Sequence, residues 1–328
     1  MSRIALFGAA GVIGQSIASA LRSQGRAYRV VGRNDASLRE AFGADPLAEI
    51  VTWNPDSPAS VRAAADGVDT LIYMVGVDYW QFDLHPKLMR QTLDGAVAAG
   101  VRQLILIGTV YPYGRAGSNP VRESHPREPH TFKGRMRKAQ EDLLMQAHAD
   151  GHIRATVLRL PDFYGPGVEA SLLHRAAQAA VHGGTADMVG PIDRPHEFVF
   201  VPDVGPVVAR LADTPAAFGK IWHLGGAGTT TQRDLVAEME RQTGAKLRLR
   251  VAGKTMLRLI GLFNPFVREM VEMHYLMTEP LILDDSALHQ LIGPIHKTPY
   301  AQGIRQTLAA VPGNRAPLRR PEADGQNP

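Results

Sequence analysis

Short, continuously apolar runs alternate with helix-period segments along the first half of the chain. Ile4–Phe7 is such a run; a glycine-rich turn follows, and then a helical pattern through Leu21. A second run at 28–31 ends on Gly32-Arg33-Asn34, and a third lies at 49–52. Helical spacing predicts a helix at 60–65, a buried strand at 69–75, a helix at 87–99 and a further strand at 103–107. Strands without polar alternation, separated by helices, predict an α/β protein whose parallel sheet is covered on both faces. From Pro312 the chain is rich in Pro, Arg, Gly and Asn with little to bury, and is expected to be a disordered tail over 312–328.

Composition narrows the function classes. The 328 residues are 45% hydrophobic and 21% charged, which suits one sizeable core carrying a smaller lobe. The net charge of +4 is spread along the chain rather than gathered in a stripe, so no nucleic-acid partner is expected. There is no cysteine, which excludes disulfides and thiolate chemistry and fits a reducing compartment. No basic region followed by an apolar stretch precedes the first strand, so no signal peptide is expected. The apolar segment 256–277 is broken by Asn264-Pro265 and carries Arg268, Glu269, Glu272 and His274. It reads as core or as a lid, not as a membrane span. The expectation is a soluble, cytoplasmic protein with no membrane partner.

The first turn carries the candidate chemistry. Gly8-Ala9-Ala10-Gly11-Val12-Ile13-Gly14 follows a strand and opens a helix, the context in which a glycine fingerprint signifies dinucleotide binding. Gly8 makes the turn, Gly11 lets the backbone approach a pyrophosphate, and Gly14 allows helix and strand to pack closely. The helix start at Val12 and Ile13 offers N–H groups and a positive dipole end to the phosphates. An acidic residue at the end of the second strand would select NAD(H). That place holds Arg33, followed by Asn34. The guanidinium either reads a 2′-phosphate or is a solvated strand-end charge; the former favours NADP(H) over NAD(H). No acidic residue stands at ligand-like spacing from His125, His130, His148 or His152, so no metal is expected.

The glycine spacing resembles that of short-chain dehydrogenases/reductases, and later segments resemble the extended branch, the NAD(P)-dependent epimerase/dehydratase family. Leu106-Ile107-Gly108-Thr109-Val110-Tyr111-Pro112-Tyr113-Gly114 is similar to the family strand that ends in a catalytic Ser or Thr. Leu158-Arg159-Leu160-Pro161-Asp162-Phe163-Tyr164-Gly165-Pro166-Gly167 is similar to its Leu-Arg…Tyr-Gly-Pro-Gly segment. His196-Glu197-Phe198-Val199-Phe200-Val201-Pro202-Asp203-Val204, Trp222-His223-Leu224-Gly225-Gly226 and Leu283-Asp284-Asp285-Ser286 extend the resemblance almost to the tail. It implies a Rossmann-type doubly wound parallel sheet over 1–167 and 196–226. A smaller C-terminal substrate lobe would be built from 168–195 and 227–311 and close over the sheet's C-terminal edge. It also implies cofactor contacts at Val75, Gly76, Pro161 and Phe163, a small-molecule substrate and a possible homodimer.

One departure stands out. The family uses Tyr-x-x-x-Lys on a helix, where the spacing puts both side chains on one face. Over 129–144, one register places Lys133 and Arg137 at those positions, and a shift by one places Gly134 and Lys138; neither contains a tyrosine. Either Lys133 handles the proton, activated by desolvation and the neighbouring Arg137, or both cations merely hold cofactor or face solvent. Thr109 would orient the reacting oxygen, or only close the strand end. Tyr111, two residues beyond it, is the better alternative acid, whereas Tyr113 and Tyr164 read as packed aromatics. Hydride would pass between nicotinamide and a substrate carbon in an oxidoreductase or epimerase-like enzyme acting on a carbonyl or hydroxyl. The competing expectations are a non-catalytic NADP(H)-binding regulator and an assembly subunit that retains nucleotide.

Overall fold

A computed structural model describes residues 3–314. In chain order, β1 (Ile4–Phe7), α1 (Val12–Ser23), β2 (Tyr28–Gly32), α2 (Asp35–Phe42), β3 (Ala48–Thr52) and α3 (Pro58–Ala65) form the first half of the sheet and its helices. The second half is β4 (Thr70–Tyr73), α4 (Leu84–Ala98), β5 (Gln103–Thr109), α5 (Phe132–Ala149) and β6 (Arg154–Leu160). Then come β7 (Asp162–Tyr164), α6 (His174–His182), β8 (Thr185–Val189), β9 (Phe198–Phe200), α7 (Val201–Ala212), β10 (Ile221–His223), α8 (Gln232–Thr243) and β11 (Arg248–Ala252). Helices α9 (Lys254–Gly261), α10 (Pro265–Met273), α11 (Tyr275–Thr278), α12 (Ser286–Ile292) and α13 (Tyr300–Ala309) complete the described chain.

By contact the chain forms two compact units, one of residues 3–161, 202–225 and 283–296, the other of 162–201, 226–282 and 297–314. The first holds a seven-stranded sheet in the order β10-β6-β5-β4-β1-β2-β3, with every pairing parallel. The strand order reverses between β1 and β4, so the expected doubly wound Rossmann-type sheet is present, and such sheets bind ligands at that switch point. β1 and β4 are buried at every position, which explains their unbroken apolar sequence. The boundaries at 161, 202 and 225 compare with the 167, 196 and 226 expected. Residues 283–296 also group with the sheet rather than with the lobe. They are tied there by Asp284 N donating to Val121 O (2.8 Å) and Gly225 N donating to Asp285 Oδ2 (3.0 Å).

The second unit has a core of its own, in which Tyr164, Phe198 and Phe200 pack with Leu235, Met239 and Ile304. Its strands pair in parallel as β11 with β8 and β7 with β9. The segment 256–277 breaks into α9, α10 and α11 because Asn264 caps α10, its Oδ1 accepting from Val267 N at 3.2 Å. Only part of it is core: Leu257, Met273 and Tyr275–Thr278's first three residues are buried, while its tip faces outward. Among the described residues no helix is long and apolar enough to cross a membrane. Asn314 Nδ2 donates to Leu308 O at 2.8 Å, so 312–314 fold back on α13; the rest of the expected disordered tail lies outside the described residues.

Candidate functional site

Gly8 sits at φ +89°, a region costly for any residue with a Cβ, and a Cβ there would lie 2.8 Å from Met74 O. At Gly14 it would lie 2.7 Å from Ala9 Cα, so the turn folds tightly onto the base of α1. Gly11 is the exposed N-cap of α1 with no side-chain cap. The N–H groups of the first turn, at Val12, Ile13 and Gly14, have no partner within the helix. A cleft of about 200 Å³ opens beside this turn, lined by Gly8, Arg33, Asn34, Val75 and Gly76 together with Trp53. Arg33 is exposed at its rim. Asn34 Oδ1 accepts from Ser37 N at 3.2 Å and so also caps α2. Asp35, next in sequence to Asn34, is bound by Arg39 Nε at 2.5 Å and does not line the cleft.

A second cluster gathers where β5 ends and α5 begins. Thr131 caps α5, its Oγ1 accepting from Gly134 N at 3.1 Å. Gly134 lets the helix press against the chain after β5; a Cβ there would lie 2.8 Å from Tyr111 O. The buried face of α5 is not the usual apolar stripe. It carries Lys133, Gly134, Arg137, Gln140 and Glu141 before reaching Leu144. Burial separates the two possible registers: Lys133 and Arg137 face inward, while Lys138 binds Asp142 at 2.7 Å on the more exposed side.

Lys133 is fully buried, its Nζ 5.4 Å from the centre of the Tyr79 ring and 5.6 Å from that of Phe82. Such placement stabilises a cation through the ring quadrupoles. The hydroxyls of Tyr79 and Tyr111 lie 2.8 Å apart, Phe82 stacks on Tyr111, and Thr109 Oγ1 accepts from Tyr111 N at 3.4 Å. Arg137 donates from NH1 to His85 Nδ1 (3.2 Å) and from NH2 to Ile107 O (3.1 Å). Burial lowers its pKa below that of an ordinary guanidinium. Burial, and then the Arg137 charge, push His85 down to about 2, so His85 is neutral and accepts through Nδ1.

Deeper along the same face, Glu141 binds Arg159, with Arg159 Nε donating to Oε1 at 3.0 Å and NH2 donating to Oε2. Burial works against the Arg159 charge, yet the Glu141 carboxylate leaves its pKa raised. The Arg159 guanidinium lies 4.3 Å from the Tyr113 ring centre. Tyr113 therefore does more than pack: its hydroxyl is 2.6 Å from His223 Nε2. His223 Nδ1 faces the carbonyl of Asp284 at 3.0 Å and must carry the proton there, so Tyr113 donates to Nε2. Burial and the Arg159 charge push His223 down to about 4. His85 and His223 were not singled out by sequence. His85 could have been, because with Leu88, Met89, Thr92 and Ala96 it keeps helical spacing on the buried face of α4.

The first unit thus brings together Gly8, Arg33, Asn34, Val75 and Gly76 in one place, and Thr109, Tyr111, Lys133 and Arg137 in another. Pro161 is buried just after β6, and Phe163 is half-buried on β7 of the second unit. A larger open groove of about 740 Å³ along β10, between Trp222 and Leu291, shares no lining residue with either cluster.

Comparison with known proteins adds the following. The model of the NAD dependent epimerase/dehydratase family matches residues 4–225. A dTDP-6-deoxy-L-talose 4-dehydrogenase (NAD(P)(+)) from Kitasatospora kifunensis is 27% identical over 262 residues, 74% of this chain and 80% of the relative. UDP-glucuronic acid 4-epimerase from Bacillus cereus, solved with NAD, aligns with a TM-score of 0.77 at 16% identity, covering 94% of this chain and 98% of that one. A dTDP-glucose 4,6-dehydratase from Streptomyces venezuelae, also solved with NAD, gives 0.77 at 19% identity over 94% and 96%. At such identities these two structures establish the shared fold.

Proposed function

The chain belongs to the NAD dependent epimerase/dehydratase family, and from that premise we propose an NADP(H)-dependent oxidoreductase or epimerase-like enzyme. Its substrate is a small organic molecule or nucleotide sugar, transformed at a carbonyl or hydroxyl. The burial of Lys133 carries the proposal. A cation in the first turn of α5 opposes the helix dipole, and burying it completely carries a desolvation penalty that its neighbours must offset. Local rules broken in this way concentrate at functional sites.

The residues present fit a dinucleotide. The Gly8 turn and the start of α1 supply a cradle of backbone donors for a pyrophosphate. Arg33 at the cleft rim suits a 2′-phosphate, and the only nearby acid among the lining and adjacent described residues, Asp35, is engaged by Arg39. When bound, the nicotinamide supplies hydride chemistry that no amino-acid side chain provides. Arg137, fixed by His85 and Ile107 O, is oriented to hold a ribose hydroxyl. Thr109 Oγ1 orients the reacting oxygen. Lys133 Nζ or the Tyr111 hydroxyl, itself paired with Tyr79, gives or takes the proton. The Kitasatospora relative and both solved neighbours carry nucleotide-sugar names, which makes that substrate class the first to test.

Titration with NADPH and NADH tests the cofactor, and NADPH oxidation across aldehydes, ketones and nucleotide sugars tests the chemistry. Tighter NADPH binding and turnover of at least one class are expected. Tight binding without turnover of any would favour a non-catalytic nucleotide-binding regulator, a reading that the absence of tyrosine at position 133 supports. Tighter NADH binding would overturn the assignment of Arg33.

A further inference from the structure

The turn between α9 and α10 in the second unit buries almost nothing. Phe263 is 91% exposed, Leu262 73% and Leu259 62%, with Met256, Ile260 and Phe266 exposed beside them. The two helices meet closely at Gly261, where a Cβ would lie 2.8 Å from Arg268 Cα, so the apolar residues are displayed on a compact hairpin rather than on a loose loop. Isolated exposed apolar residues are ordinary, but a contiguous group of this kind marks an interaction surface. Along the chain, the charge leading into and through the hairpin has one sign as far as Arg268. Residues 246–268 contain Lys246, Arg248, Arg250, Lys254, Arg258 and Arg268, and no Asp or Glu. All six cations are exposed, though Arg250 is paired with Asp187 and Arg268 with Glu269. Acidic residues return only at Glu269 and Glu272 on the following turn.

We propose that this hairpin docks on an anionic lipid surface, inserting Leu262 and Phe263 at the headgroup boundary while the basic residues meet lipid phosphates. Protruding aliphatic and aromatic side chains ringed by Lys and Arg are the composition of an interfacial helix pair. Nucleic acid would have no use for exposed Leu259, Ile260 and Leu262. An acidic protein groove would demand the charges but not so convex an apolar tip. Docking of this kind needs no spanning segment and is compatible with helices too short or too polar to cross.

Flotation of the full chain with vesicles of phosphatidylcholine, with and without about one part in three of phosphatidylglycerol, tests this. Binding is expected only to the anionic vesicles and should weaken as salt is raised. Phe263→Asp should reduce it by about tenfold or more, and Lys254→Glu with Arg258→Glu by a comparable factor, while NADPH affinity is unchanged. No binding of the unmodified chain overturns the proposal. So does binding that Phe263→Asp leaves intact, or a solution dimer that Phe263→Asp splits without any vesicle binding.

Discussion

The glycine turn after β1 and the buried face of α5 are both built to hold polar groups, but they do it with different materials. The turn uses backbone: Gly8 takes a positive φ, Gly14 removes a Cβ, and the start of α1 offers N–H groups. The α5 face uses side chains, with Lys133 among aromatic rings, Arg137 on His85 and Glu141 on Arg159. Backbone sites tolerate change around them as long as the glycines stay. Side-chain sites can be rewritten one residue at a time, and on α5 a lysine stands where the resemblance implies a tyrosine. The glycine turn matches the pattern that the resemblance implies, and the α5 face departs from it.

That contrast can be broken at several points. Glu141→Ala strands the Arg159 charge and should cost about 3–5 kcal/mol in denaturant unfolding. The double change Glu141→Leu with Arg159→Met should recover most of it. A cost below about 1 kcal/mol would mean that water reaches and solvates the stranded guanidinium. Gly8→Val forces a branched residue into φ +89° against Met74 and should cost about 3 kcal/mol while abolishing measurable nucleotide binding.

The pH dependence of stability reports on the α5 side. His223 is held at about 4 and His85 at about 2, below the 6.5 of the unfolded chain. Both stay neutral when folded, so their contribution is complete above about pH 6.5 and is lost as pH falls, for His223 until it reaches about 4. Each should cost about 2 kcal/mol by pH ~5. His223→Gln should shrink the drop measured by denaturant melts. The smallest effect is expected at the exposed cleft rim. Arg33→Asp should move cofactor preference towards NADH by roughly tenfold, about 1.4 kcal/mol, in paired titrations. An unchanged NADPH preference would mean that another group reads the phosphate.

The difference between the two regions also decides what could be read from sequence. The turn was legible because its backbone geometry requires glycine, and the strand before it and helix after it show in the apolar pattern. Element ends were less so. The helix expected from 87 starts at Leu84, because Pro86 is tolerated in a first turn, and the strand expected to end at 107 continues to Thr109. On α5, spacing alone offered two registers, and nothing in an amphipathic pattern announces that Lys133, Arg137 and Glu141 are the inward residues. His223 was hidden for a related reason. Its role depends on Tyr113 and Asp284, which are far from it in the chain and meet it only through the sheet.

The most direct test is Lys133→Met, a substitution close in length that removes the charge, assayed for NADPH affinity and for turnover of the best substrate found. Affinity within a few-fold of the unmodified protein, with turnover lowered by about 10²–10⁴, is the predicted result. Turnover that survives unchanged, with binding also unchanged, would contradict a catalytic role for Lys133 and leave the α5 face as structure alone.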